Sequence, residues 1–225
     1  MDVNQVNTSE LSKLLARIDR LEGLDEIRQL VIKYALCLDQ RDYDSLVNLF
    51  IEDIGVPGKL RGRNALKKWY ITTARNGRTK STAHVTANHI IEFEAEDQAT
   101  GLVYSRNELE TDECWMVEMM IYLDRYTRRD GRWFFQRRTP VFLYQCPMND
   151  IPLDSFKLRW GDHPPIEQNF HSGFPSWDEF WSSGEEIDDR PVPPLSPIGE
   201  FLKTLRRGQD APKVKPAGTM RKQEG

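Results

Sequence analysis

Apolar residues recur in steps of three and four up to about residue 75, then in steps of two from residue 81 onward. The first rhythm marks helices and the second marks half-buried strands. In residues 8–22, Leu11, Leu14, Leu15, Ile18 and Leu21 fall at helical spacing, with Thr8 or Ser9 able to cap the start. Gly23 is expected to interrupt this helix. A second helix follows over residues 24–38, with the stripe Leu24, Ile27, Val31, Ala35 and Leu38. The run Asp42-Tyr43-Asp44-Ser45 supplies an N-cap for a short helix burying Leu46, Leu49 and Phe50. Gly55, Pro57, Gly58 and Gly62 break the chain, and residues 63–75 read as helix with Leu66, Trp69 and Tyr70 inward.

Four segments near 82–94, 100–110, 115–128 and 132–145 are rich in Val, Ile, Tyr, Phe and Thr, with short turn-like breaks between them. Short connections favour an antiparallel meander, and Asp130-Gly131 is a strong hairpin turn. Helices first and strands later, without a βαβ rhythm, predict an α+β domain whose helices cover one face of a curved sheet. A cavity is expected where the sheet curls away from them. The organisation read from the chain is an N-terminal helical extension (1–22), the α+β cone (23–145), an aromatic packing arm (146–190), and a Pro-rich linker with a basic tail (191–225). Within the arm, Ser176-Trp177-Asp178-Glu179 is a capping box for a short helix. Residues 198–207 could form another, and the tail beyond them reads as disordered.

Composition narrows the class. With 225 residues, 39 % apolar and 29 % charged, the chain suits a water-soluble globular domain. A net charge of −4 offers no electrostatic case for nucleic acid or a membrane surface. No segment approaches the roughly 20 apolar residues of a membrane span. Cys37, Cys114 and Cys146 are scattered without metal-ligand spacing, which predicts reduced thiols, no structural metal and a cytoplasmic location.

The candidate chemistry begins with Asp39. It lies about 40° around the helix from Ala35, at the edge of the apolar stripe and near the helix C-terminus, where the dipole disfavours a carboxylate. It is either a solvated end residue paired with Arg41 or a cavity carboxylate. His84 shares one strand face with Thr86, Asn88 and Ile90, while Val85, Ala87, His89, Ile91 and Phe93 share the other, more apolar face. Alternation alone makes the second set the core face and separates the two imidazoles, so that they cannot easily hold one metal. Tyr34 flanks the stripe, and its hydroxyl could reach a pocket or make one structural hydrogen bond. Asn107 and Arg138 are polar candidates for the cavity wall, with an edge polar group and a surface ion pair as the plainer readings.

The ordered set of motifs carries more than any one of them. The run Ile27-x6-Tyr34-Ala35-x3-Asp39-x2-Asp42-x7-Phe50-x2-Asp53 resembles the N-terminal helices of the SnoaL-like branch of the nuclear transport factor 2-like superfamily. Thr82-x-His84-x3-Asn88-x-Ile90, Tyr122-x-Asp124 and Gly131-Arg132-Trp133-x4-Arg138 follow in the same order. The resemblance, over about residues 20–145, implies an α+β cone with a deep apolar pocket, commonly a homodimer or homotrimer. It implies a cofactor-independent lyase of the dehydratase or dehydrochlorinase kind, acting on a small hydrophobic ring compound. Asp39 and His84 fall at the positions of that group's dyad, Tyr34 at that of a tyrosine near the leaving group, and Arg138 at that of a last-strand arginine. Asn88, Asn107, Arg138, Trp69 and Tyr122 would then contact the substrate. Asn107 departs from the pattern, since an acid or histidine is common there. An isomerase or cyclase of a steroid- or polyketide-like substrate, and a non-catalytic binding or assembly domain, are the alternatives.

Overall fold

The computed structural model describes residues 8–150, 152–153, 155–160, 164–167, 175–182, 191 and 194. Helix α1 (Thr8–Gln40) is followed by α2 (Tyr43–Asn48), a two-strand ribbon β1 (Gly55–Val56) and β2 (Leu60–Arg61), and α3 (Arg63–Asn76). The main sheet comprises β3 (Ser81–Ala95), β4 (Gln98–Glu110), β5 (Trp115–Arg129) and β6 (Arg132–Pro147), ordered β3-β4-β5-β6 and antiparallel throughout. Helix α4 (Pro175–Ser182) lies in the arm, where the capping box predicts one. The possible helix at 198–207 and the basic tail lie outside the described residues. Among the described residues, no helix is long and apolar enough to cross a membrane.

The two helices expected on either side of Gly23 are one continuous helix, so the boundary drawn at residues 22 and 23 falls inside an element. Gly23 is there for proximity. A Cβ on it would lie 3.0 Å from Trp133 Nε1 and 3.3 Å from the Phe93 ring. The glycine lets α1 press against the sheet, a use that outweighs its cost of about 1 kcal/mol in helix propensity. Beyond it, Ile27, Leu30, Val31, Tyr34 and Ala35 are buried, whereas Leu14, Leu15 and Ile18 ahead of it are exposed.

Both α1 and α3 end in the same turn. Arg41 N donates to Leu38 O and Asp42 N to Cys37 O; Arg78 N donates to Arg75 O and Thr79 N to Ala74 O. These are Schellman closures, with Arg41 (φ 60°) and Arg78 (φ 47°) in the left-handed position that glycine usually fills. Asp42 then caps α2 by accepting from Ser45 N, as its place in the sequence predicts. The β5–β6 hairpin turns on Asp130 (φ 50°) and Gly131 (φ 74°), the conformation of a type I′ turn.

Four register shifts interrupt the main sheet, at Thr86/His89, Phe93/Ala95, Met119/Met120 and Arg125/Tyr126, and two of them bear most on the inner face. One lies between Thr86 and His89, where Ala87 and Asn88 together oppose Tyr104. The other lies between Phe135 and Arg137, where Gln136 is the extra residue against the Arg125–Tyr126 step, and Phe135 also exchanges backbone hydrogen bonds with Leu49 and Ile51. Each extra residue restarts the in–out alternation. His84 and His89 therefore share the inner face, which corrects the expectation that alternation separates them. Asn88 is exposed in the bulge, so its expected place on the wall beside His84 is taken by His89.

Candidate active site

Residues directly opposed across neighbouring strands point to one face, so the register orders the interior in ranks. Nearest the start of β3, His84, Asn107, Glu118 and Gln145 form one rank across all four strands. Deeper ranks bring His89 beside Val103, Tyr122 and Pro140, and then Ile91 beside Gly101, Asp124 and Arg138. Polar chemistry thus sits at two depths of an otherwise aromatic and aliphatic interior.

At the outer depth, α1 delivers Asp39 to the edge strand. Its Oδ1 lies 2.6 Å from His84 Nδ1, its Oδ2 accepts the His84 backbone N–H at 2.9 Å, and Thr82 Oγ1 donates to Oδ1 at 2.8 Å. Arg41 Nη1 donates in turn to Thr82 Oγ1 (3.1 Å) and to Leu38 O (2.9 Å). An ionised carboxylate only accepts, so Nδ1 carries the imidazole proton and Nε2 is left as the ring's acceptor. Burial raises the Asp39 carboxyl, but the bonds from the His84 ring, the His84 backbone and Thr82 outweigh it and hold the group below the ordinary aspartate range. The Asp39 and His84 side chains are 26 % and 10 % exposed, so the pair is shielded without being sealed.

At the inner depth, Arg138 Nε and Nη2 donate to the two Asp124 oxygens, each at 3.0 Å. The two side chains are 2 % and 0 % exposed. The guanidinium lies 4.2, 4.0 and 4.6 Å from the ring centroids of Tyr34, Tyr122 and Phe135. Burial raises the Asp124 carboxyl, while Arg138 and the Tyr126 hydroxyl pull against that shift. Tyr126 Oη donates its one proton to Asp124 at 2.7 Å, so the His89 Nε2 at 3.2 Å is the donor to Tyr126 Oη. Burial, with Arg138 and Arg28 nearby, lowers His89 to about 4 and keeps it neutral. Gly101 makes room for this cluster, since a Cβ there would lie 2.7 Å from the Tyr126 ring.

The expected site residues divide between these depths. Tyr34 belongs to the buried stripe of α1, and its hydroxyl is 3.1 Å from that of Tyr70. Burial lifts both phenols well above the ordinary tyrosine value, which keeps them protonated. Half-buried Trp69 packs edge-on to Tyr70, with 4.9 Å between ring centroids, and Tyr122 packs edge-on to Tyr34. Asn107 is fully buried, accepts from Ser105 Oγ at 2.6 Å, and directs its amide nitrogen to Glu118 and Met120. Arg138 is not an open wall residue but the partner of Asp124. Sequence reasoning missed Glu118, a buried carboxylate one strand across from Asn107 that also accepts from Gln145. It missed Tyr70, Tyr126, His89 and the support from Thr82 as well. The segment Thr82-x-His84 placed Thr82 on the face of His84 and was the available signal for that last one. All three cysteines are free, and no cluster of three or more metal-ligating side chains occurs among the described residues.

A profile of the SnoaL-like domain matches residues 19–139, more than half of the chain. The chain belongs to the SnoaL-like family. Solved structures of similar shape agree with this α+β fold. A scytalone dehydratase-like protein from Novosphingobium aromaticivorans is 22 % identical with a TM-score of 0.52, covering 60 % of this chain and 93 % of its own. The hexachlorocyclohexane dehydrochlorinase LinA-type3 from Novosphingobium barchaimii LL02 is 21 % identical with a TM-score of 0.54, covering 60 % of this chain and 96 % of its own. A type 2 LinA dehydrochlorinase is 23 % identical with a TM-score of 0.52, covering 60 % and 95 %. At these identities the likeness establishes the fold. No curated protein matches the chain. The SnoaL-like region thus ends in β6, and the arm from residue 146 onward lies outside it.

Proposed function

We propose that this SnoaL-like protein is a cofactor-independent lyase that eliminates water or another small leaving group from a hydrophobic ring compound. The observation that carries the reading is the Asp39–His84 pair. Its carboxylate is bonded three times over, and its imidazole proton is fixed on Nδ1. His84 Nε2 takes a proton from carbon next to an activating group, and Asp39 stabilises the imidazolium that forms. The C–H electron pair becomes the new double bond as the leaving group departs with its own bonding pair. Tyr34, a phenol held protonated and bonded to Tyr70, supplies a proton to that group. Trp69 and Tyr122 offer aromatic faces to the ring. Proton transfer and departure of a leaving group are covered by these side chains, which is why no cofactor enters the reading. The dehydratase and dehydrochlorinase chemistry named for the structural relatives is of the same class.

The test is conversion of a panel of hydroxylated and halogenated ring compounds by wild type, His84→Ala and Asp39→Asn, followed by product mass. Loss of at least a hundredfold in both variants is expected, within the usual range for a general base. Activity retained by both variants would remove the dyad from the mechanism. An isomerase working through an enol is the second reading, favoured by Glu118, which places a buried carboxylate in the same rank as His84. Product of unchanged mass, abolished by Glu118→Gln and kept by His84→Ala, would select it.

A further inference from the structure

The ends of α1 and α3 meet the start of β3 around a cleft of about 630 Å³. Four cationic side chains line it, Arg41, Arg75, Arg78 and Lys80, against the single carboxylate of Asp112. Lys80 is paired with Asp112 at 3.1 Å, and Arg41 is committed to Leu38 O, Thr79 O and Thr82 Oγ1. Arg75 and Arg78 are exposed, and their guanidiniums have no hydrogen bond or ion pair among the described residues. Gathering like charges is unfavourable unless an anion joins them.

A helix C-terminus attracts cations, and Arg75 in the last turn of α3 satisfies that preference with ordinary backbone. The dipole also favours cations at Arg41 and Arg78, and Arg41 bonds the last-turn carbonyl of Leu38, but this does not account for their backbone. Both stand in the left-handed closing position of a helix, where glycine is free of strain and an L-residue is not. Two of the four non-glycine residues with positive φ thus carry guanidiniums into one cleft. Strain retained in this way is a mark of function.

We propose that this cleft binds a phosphate group, and that it seats the phosphorylated tail of the compound whose ring meets His84. A carboxylate would answer one of the cleft's surplus charges and a phosphate dianion two, with oxygens that suit paired guanidinium N–H groups. The volume exceeds that of a bare ion, and Tyr43 and Ile71 give the cleft an apolar wall for the adjoining part of the molecule. A chain of hydrogen bonds links the cleft to the dyad, from Arg41 to Thr82 (3.1 Å), Thr82 to Asp39 (2.8 Å) and Asp39 to His84 (2.6 Å). The placing of a substrate tail rests on the lyase reading; the phosphate site itself does not.

The test is calorimetric titration of the full chain with inorganic phosphate and with phenyl phosphate at low salt. Saturable binding is expected, tighter for phenyl phosphate, and at least tenfold weaker in the double variant Arg75→Glu, Arg78→Glu. Arg78→Gly guards against misfolding, because it relieves the strained turn: it is expected to melt higher than wild type while binding less tightly. No saturable binding, or equal affinity in wild type and the double variant, overturns the phosphate site. Phenyl phosphate no tighter than inorganic phosphate overturns the tail and leaves a site for the free anion. Phosphate binding that follows the arginines while no ring compound is converted would sink the lyase reading alone. Conversion that depends on His84 without phosphate binding would sink the cleft alone.

Discussion

Two carboxylates meet basic partners on the inner face of one sheet, Asp124 from within the sheet and Asp39 from α1, and they differ in what the partner can do. Asp124 faces Arg138, whose guanidinium burial and charge have not stripped of its proton; its pKa is raised further by Asp124. Asp39 faces His84, whose ring bonds the carboxylate through Nδ1 and leaves Nε2 as an acceptor. The arginine pair is sealed beneath aromatic rings, with one guanidinium nitrogen, Nη1, lacking a partner among the described residues. The histidine pair keeps part of its surface open and is braced from the helix side. Similar electrostatics therefore serve different ends. The deep pair ties β5 to β6 beneath the aromatic rings, and in the proposed reaction the shallow pair leaves His84 Nε2 able to accept a proton.

The largest effect should come from breaking the deep pair on one side. Arg138→Met leaves Asp124 buried without its counter-charge and is expected to cost about 3–5 kcal/mol in urea unfolding. Adding Asp124→Asn should recover a large part of that loss. Full stability in the single variant would erase the distinction between the pairs. The shallow pair should show a different balance: His84→Ala is expected to lose activity as described above, yet to lower stability by less than the deep pair, about 1.5–3 kcal/mol for one hydrogen bond to a charged group.

Acid should separate the two depths further. His89 is lowered to about 4, so the unfolded chain binds a proton more readily than the folded one between that value and the ordinary histidine value near 6.5. Stability is present above pH 6.5 and falls as pH drops toward 4, by about 2 kcal/mol after allowance for partial exposure. His89→Gln, which keeps a donor for Tyr126, should flatten that slope in unfolding measured from pH 7 to 4. Asp39 acts at lower pH, because its depressed carboxyl stabilises the fold above the unfolded aspartate value and is lost as pH falls through its folded value. The smallest effect is expected from Thr82→Val, about 1.5 kcal/mol for one lost hydrogen bond to the Asp39 carboxylate, with an upward shift of the Asp39 titration followed by carboxyl NMR.

Most of the fold was legible because it rests on local periods. The four strands, the Asp42 cap, the Asp130-Gly131 turn and the arm helix all follow from nearby residues. The interruption at Gly23 was misread because the reason for that glycine, the Phe93 and Trp133 side chains, lies 70 and 110 positions away in the chain. The Asp39–His84 contact was anticipated from the order of motifs. Asn88 was misplaced because a bulge leaves no trace in simple alternation. Asp124 and Arg138 were each noticed, but their union depends on the register of β5 against β6, with its own extra residue. The acid missing at Asn107 stands on the neighbouring strand as Glu118, a relation that exists only after the strands pair.

The bulge at Ala87 and Asn88 also divides β3 into two separately adjustable halves. Removing one residue there would leave Thr82 and His84 against α1 while turning His89, Ile91 and Phe93 outward together. An insertion or deletion of a single codon at that point can therefore exchange the side chains that face the Asp124–Arg138 cluster without touching the Asp39–His84 contact. A sheet built this way can change its deep lining while keeping the contact between α1 and its edge strand.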